Sequence, residues 1–335
     1  MVRLDSEIWR IGVGIMKKKK ITNGKTLHGN KEGGTGFIVA GIPVLGFIIF
    51  GLFPLVASFI VSFMELHIAD FSQMKFVGLD NYIEVFTTPE TYATYLSTII
   101  YAINVPIGGL LALYLANKMH HSKVGMKFFR FVFFIPYVSS SVVVATIFGR
   151  LYSLETGVLN SLLMNLGFEK VGWLTDSPLS FMISAIFMDI WNGIGYNIVL
   201  YLAALAKVDN SYYEAAKIDG ASPMQIFWKI TWPAVSPTTS VVILFGMINS
   251  LQQMASTHIL ASGVGNSIMP RWPGLGTQAW VSDLVVKRIY NLIFAWNQRY
   301  GYGSGSAAGW ILAIVIFLGS QLMLKLQKKW VCYDF

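Results

Sequence analysis

The residues that could carry out bond-making chemistry are few and poorly arranged for it. The five histidines, His28, His67, His120, His121 and His258, are scattered with no metal-ligand spacing, and the adjacent pair His120-His121 does not face one site. A single cysteine, Cys332, excludes an intramolecular disulfide framework and a Cys-based zinc site. Gly24-Lys25-Thr26 has the ending of a phosphate-binding loop, but position 19, which must then be glycine, is Lys19, and no strand precedes it. No catalytic residue, metal or cofactor is therefore expected in this chain, and any driven process must take its energy from a partner. What remains are polar groups inside apolar segments, which are costly there and therefore suspects for binding. Asp189 is the sharpest of them, well inside the apolar stretch 179–204 near Met188 and Trp191. It could bond a passing solute, or it could be a structural acid bonded to a neighbouring helix.

The elements that must position these groups follow from composition. Apolar residues make up 54% of the 335, charged residues 13%, and mean hydropathy is +0.57. Soluble domains carry nearer a quarter charged residues, so the chain is read as an all-α polytopic membrane protein. About 20 apolar residues cross the hydrocarbon. Six segments qualify: 37–63, 96–117, 129–151, 179–204, 237–260 and 305–325. All should be helical, because a lone segment in lipid must satisfy its own backbone.

Charge sets the direction. Of the 25 Lys and Arg, 18 fall in the N-terminal 1–36, the 118–130 and 205–235 connections and the C-terminal tail, and 7 in the other connections. Both termini are expected in the cytoplasm. The net charge of +8 then reflects membrane topology, and no nucleic-acid partner is expected. Residues 1–36 carry no cleavable signal pattern and read as a basic tail, either resting on anionic lipid or disordered. The 326–335 tail ends the chain. The 261–304 connection departs from the charge pattern, with Arg271, Lys287, Arg288 and Arg299 against Asp283 alone.

The connection between the fourth and fifth spans has the chemistry of two short helices around a glycine hinge. Asp209, Asn210 or Ser211 can cap the first, with Glu214 completing a box if Ser211 is the cap. Gly220 can take the positive φ that ends it. Ser222 caps the second with Pro223 at its first position, and Pro233 ends it before the next span. Ala215-Ala216 lets the first helix approach another surface closely, flanked by Glu214 and Asp219. An ordinary helical loop between spans is the alternative.

Glu214-Ala215-Ala216, then Gly220, Ile230 and Trp232-Pro233 at this spacing resemble the signature loop of binding-protein-dependent ABC permeases, with Trp232 where Leu is usual. Phe134-Ile135-Pro136-Tyr137 resembles that family's Leu-Pro-Tyr segment. Gly276 to Phe294 and Tyr300 onward resemble its last periplasmic loop. The likeness spans about 37–331 and is greatest to the MalF-like half of carbohydrate uptake permeases. It implies a type I ABC importer permease fold, with Glu214, Ala215, Ala216, Asp219, Gly220 and Pro233 coupling to an ATPase. It implies as partners a second, similar permease in a heterodimer, two ATPase subunits that hold ATP and magnesium, a solute-binding protein and membrane lipid. The resemblance also implies a saccharide site from Tyr137 and Ser141, Asp189, Gly193 and Tyr196, and Asn249, Ser250 and Gln253. Asp189 stands where an amide is more common. A glycerol-phosphate-type cargo is the other substrate the resemblance admits.

The basic set Arg271, Lys287, Arg288 and Arg299 could attract an acidic saccharide such as a uronic-acid oligomer, or an acidic face of a binding protein, or be solvated loop charge. Two other classes of function are weighed against the permease. A secondary transporter would show similar halves, and no internal repeat is evident. A membrane-embedded enzyme lacks its constellation.

Overall fold

The computed structural model describes residues 30–66, 74–122, 125–263, 269–275, 279–294 and 301–332, with side chains described from Val39 onward. The chain divides into two compact units, Met1–Ala57 and Ser58–Phe335. The first is helical throughout its described part: α1 (Asn30–Phe47), a π-turn (Ile48–Leu52) and the start of α2 (Phe53–Val61). α1 therefore begins inside the segment 1–36 expected to be a tail. From Val39 to Val61 this helix is apolar on every face and none of its window is buried, as suits a helix surrounded by lipid.

The second unit continues with a two-residue antiparallel ladder, β1 (Met64–Glu65) and β2 (Lys75–Phe76). Helices α3 (Asp80–Thr87), α4 (Pro89–Tyr101), α5 (Asn104–His121), α6 (Met126–Val138), α7 (Ser141–Leu151) and α8 (Val158–Asn165) follow. Next come α9 (Pro178–Leu205), α10 (Asn210–Ile218), α11 (Pro223–Ile226), a second π-turn (Phe227–Thr231) and α12 (Trp232–Leu251). The unit closes with α13 (Ala255–Ser262), α14 (Val285–Phe294) and α15 (Gly301–Gln327).

Among the described residues five helices are long and apolar enough to cross a membrane, and the pair α6–α7 makes a sixth crossing if it is one broken span. Two expected spans are corrected here. The 129–151 span is not straight: α6 and α7 meet at Ser139-Ser140 with a bend of 97°. Pro136 lies in the last turn of α6, and Ser139 and Ser140 adopt extended backbone torsions that end the helix. The fifth span ends at Leu251 rather than at 260, because 252–254 leave the helix and α13 starts separately.

Both π-turns end two residues before a proline, Pro54 and Pro233. Proline lacks the N–H that its i−4 carbonyl needs, and its ring crowds that carbonyl. Widening the preceding turn to i→i+5 pairing, as in Trp232 N–H to the Phe227 carbonyl, absorbs both effects. Pro233 therefore does not end a helix, as its position led one to expect. Helical structure runs unbroken from Pro223 to Leu251.

α9 is the axis of the second unit, packing on α5, α6, α7 and α12. Its start is fixed by Pro178 and by a reciprocal cap in which Ser177 and Ser180 accept from each other's backbone N–H. α5 meets it through Gly108, Ala112 and Ala116, a ridge of small residues at four-residue spacing that permits close approach. The buried cluster there joins Ala112, Ala116, Ile194, Ile198 and Val235. A second cluster, at the other end of α9, joins Tyr101, Phe148, Phe181, Met188 and Leu260.

Gly195 carries the tightest of these approaches: a Cβ there would lie 2.0 Å from the Phe133 carbonyl oxygen. Gly195→Ala should drive α6 and α9 apart and cost about 1–3 kcal/mol. The expected reading is a lower melting temperature of the detergent-purified chain, against little change for Gly193→Ala, where nothing lies within 4 Å.

Candidate functional site

A cavity of about 310 Å³ with mixed polar and apolar walls lies within the second unit. α5 contributes Asn104, Val105 and Gly108 to its wall. α9 contributes the stripe Asp189, Gly193, Asn197 and Leu200, with Tyr196 beside it. α12 contributes Val242, Phe245, Gly246, Asn249 and Ser250, and Gln253 follows at its end. Tyr137 reaches the cavity from the last turn of α6. Each helix presents residues at three- and four-residue spacing, so one face of each turns inward.

Seven of the eight residues expected to contact a solute line this one cavity: Tyr137, Asp189, Gly193, Tyr196, Asn249, Ser250 and Gln253. Ser141 does not. It begins α7 beyond the bend, exposed and outside the lining. Asn104 and Asn197 are lining residues that sequence reasoning missed. Asn197 was legible, eight residues after Asp189 on the same stripe. Asn104 was not, because its role depends on α9.

Asn104 donates from Nδ2 to Asp189 Oδ2 at 2.7 Å, which fixes one carboxylate oxygen. Asp189 is thus bonded to a neighbouring helix while it also faces the cavity. Tyr101 brings a buried hydroxyl near Asp189, Ser256 and Gln253, yet meets hydrogen-bond geometry with none of them. Ser250 Oγ is likewise buried without a partner. The Tyr137 and Tyr196 rings stack at 4.9 Å and 19°, both partly exposed at the cavity. Asn192 donates to the Pro136 carbonyl at 2.9 Å and so ties α9 to the end of α6 at the bend. The lining holds one carboxylate and no Lys, Arg or His.

The helical elbow expected between 205 and 235 is present. Asp209 is the cap of α10, accepting from Ser211 N–H at 2.9 Å, which holds its carboxyl below the usual range. Gly220 has φ +76°. Ser222 and Gln225 form the reciprocal cap of α11. Glu214, Ala215, Asp219 and Gly220 are exposed, Ala216 half-buried, and Ile218 projects 86% exposed. Tyr213, on the opposite face, is buried against the His120 and His121 rings and near Thr231 Oγ1.

The described residues of the basic set in the 261–304 connection each have neighbours within the protein. Arg271 lies 4.0 Å over the Trp280 ring. Lys287 Nζ bonds His258 Nδ1, beside buried Asp283. Arg288 lies among the charges of Glu90, Glu84 and Asp283. Arg299 lies outside the described residues. Lys287, Arg288 and His258 border a second cavity of about 370 Å³ with Asp283 and Glu90. Among the described residues no group of three or more His, Cys, Asp or Glu could hold a metal ion.

Two outcomes follow from these contacts. Asn104→Ala should leave a buried Asp189 oxygen without its donor and cost about 1–3 kcal/mol. Asp189→Asn in the same chain should recover part of that loss in a double-mutant cycle of melting temperatures. The second concerns pH. Burial, then the neighbouring Lys287 charge, hold His258 below its usual value, while burial raises Asp283 and lowers Lys287 and Arg288. Below about pH 6.5 the unfolded chain therefore takes up a proton at His258 that the folded chain resists. Stability should fall as pH drops through about 6.5, and His258→Gln should flatten that slope; raised Asp283 works in the opposite direction at lower pH.

The chain matches the family described as "Binding-protein-dependent transport system inner membrane component" over residues 104–331. It is 34% identical to the probable ABC transporter permease protein YurN of Bacillus subtilis, covering 84% of this chain and 92% of that one. It is 32% identical to the arabinooligosaccharides transport system permease protein AraP of the same species, over 85% of each chain. It is 29% identical to the lactose transport system permease protein LacF of Rhizobium radiobacter, over 88% of this chain and 94% of that one. Among solved structures, its fold is similar to a chain of a bacterial alginate ABC transporter in complex with an alginate pentasaccharide-bound periplasmic protein. There the TM-score is 0.70 and identity 23%, over 89% of this chain and 96% of that one. The chain belongs to the binding-protein-dependent ABC transport permeases, membrane subunits that carry out transport rather than catalysis.

Proposed function

We propose that this chain is one transmembrane half of an ATP-driven importer that carries a saccharide delivered by a solute-binding protein. The observation that carries this reading is the cavity. Asp189, Asn104, Asn197, Asn249, Ser250 and Gln253 supply acceptors and donors suited to hydroxyls. The Tyr137–Tyr196 pair supplies a flat apolar face for a sugar ring. Relatives named for arabinooligosaccharide and lactose transport support the same class of cargo.

The charge of the lining narrows the cargo. An anionic saccharide or a glycerol phosphate would enter a site with a carboxylate and no cation of this chain to balance it. An uncharged saccharide or oligosaccharide fits best. The acidic-saccharide reading rests on Arg271, Lys287 and Arg288, which already have ring or acidic neighbours.

In operation, a second, similar permease completes the pathway as a heterodimer, and one of the two ATPase subunits docks on the exposed face of α10 and its Gly220 hinge. Both termini lie on the cytoplasmic side of the inner membrane. Closure of the ATPases moves the elbow, the cavity turns outward to accept the sugar, and hydrolysis returns it inward.

The test is ATP hydrolysis and uptake in liposomes after co-expression with the neighbouring permease, ATPase and binding-protein genes. Gly220→Pro cannot reach φ +76°, so it and Glu214→Ala should abolish saccharide-stimulated hydrolysis. Asp189→Asn should raise the half-saturating neutral sugar roughly tenfold, the weight of one charge-assisted hydrogen bond. Uptake of uronic oligomers, lost on neutralising Lys287 and Arg288 together, would replace the neutral-sugar reading. Unaltered hydrolysis in Gly220→Pro would remove the coupling role.

A further inference from the structure

α15 is fastened at both ends by contacts that helix formation does not require. At its start, Tyr302 N–H donates to the Leu66 carbonyl at 3.0 Å and Ser304 Oγ donates to Glu84 Oε2 at 2.9 Å. Gly303 fits there only because it lacks a side chain: a Cβ would lie 2.1 Å from the Met64 carbonyl oxygen. Fully buried Asn81 locks the same corner, donating to the Ser62 and Met64 carbonyls at 2.9 Å each. The first turn of α15 is thus keyed into the corner formed by β1 and α3.

At its other end the fastening is aromatic. The chain turns after Gln327 and lays the Trp330 ring over Trp232, centroids 5.9 Å apart and planes 27° apart. Cys332 N–H donates to Ser236 Oγ at 2.9 Å, and Ser240 pairs with Gln327. Trp232 also meets Trp228, an exposed ring, at 5.8 Å, and Trp228 meets Phe227 at 5.2 Å. Phe227 and Trp228 lie on the π-turn within the elbow, and Trp232, which begins α12, packs on the α5–α9–α12 core. The one departure from the family's loop pattern, Trp for Leu at 232, thus supplies the flat face that Trp330 covers. Between the two fastenings runs a helix of 27 residues, about 40 Å long.

We propose that Trp330 is a positioning residue for transport: by stacking on Trp232 it ties α15 to the coupling elbow, so that displacement of the elbow carries α15 and the β1–α3 corner with it. The proposal rests on the reading of 210–233 as the coupling elbow. A packed helix fastened at each end moves as a body, whereas one loose at Trp330 lets the elbow shift alone. Trp330 touches no reacting group; its loss should separate hydrolysis from transport rather than stop either at its source.

The experiment uses the whole reconstituted complex and reads three quantities: basal hydrolysis, stimulation by loaded binding protein, and saccharide carried per ATP. Trp330→Leu and Trp330→Ala should keep basal hydrolysis and lose about fivefold in stimulation and in saccharide per ATP, the equilibrium weight of one aromatic pair. Trp330→Phe should restore most of both. Trp232→Leu should match Trp330→Leu, and the double variant should be no worse than either. Full stimulation and transport in Trp330→Leu, or losses that add in the double variant, would overturn the proposal. Absence of saccharide uptake by the wild-type complex would strike the functional reading instead. The clasp itself is then decided on the purified chain, where additive melting shifts for Trp232→Leu and Trp330→Leu would refute it.

Discussion

A peptide group in hydrocarbon has no water to bond, so every departure from regular helix inside a span must be compensated by the protein itself. The departures in this chain show how. Before Pro54 and Pro233 the helix widens into a π-turn, which keeps it continuous past a residue with no N–H. At Ser139-Ser140 no widening suffices, the chain bends by 97°, and the side chain of Asn192 reaches across to the Pro136 carbonyl. That bend is also where the cavity lies, with Tyr137 in the last turn before it. Beside the bend the carbonyl of buried Pro136 is bonded by Asn192, while Ser139 and Ser140 themselves stay exposed.

The cavity is the complement of close packing. Along α5, Gly108, Ala112 and Ala116 bring α9 near, and Gly195 lets α6 press against α9. These contacts hold the helix backbones rigidly enough that Asp189, Asn104, Asn197 and Asn249 stand at fixed positions around one volume. Asp189 is both structural and accessible, because Asn104 takes one oxygen and the cavity faces the residue. The two readings of that residue are compatible rather than competing.

Charge is handled differently at the two polar regions. In the cavity it is sparse and unbalanced, with one carboxylate and no cation. In the second cavity it is dense and of both signs, Lys287 near Asp283, and Arg288 near Glu90, Glu84 and Asp283. A dense set of opposite charges is engaged within the protein itself. A sparse one is free to discriminate among solutes.

The sequence by itself determined the class of the protein, the approximate spans, the elbow and seven residues of the cavity lining. These are local properties. Hydropathy over 20 residues, a cap such as Ser222, a positive-φ glycine such as Gly220, and a stripe such as Asp189-Gly193-Asn197 are each written within one stretch of chain. Tertiary structure alone decided what depended on two distant segments meeting. The bend that splits 129–151, the partnership of Asn104 with Asp189 across 85 positions, and the engagement of the basic residues by ring, imidazole and acidic neighbours are of this kind. So is the stacking of Trp330 on Trp232. Pro233 misled for the same reason: a proline ends a helix by its local chemistry, and only the π-turn preceding it, packed against the α5–α9 core, let the helix run on.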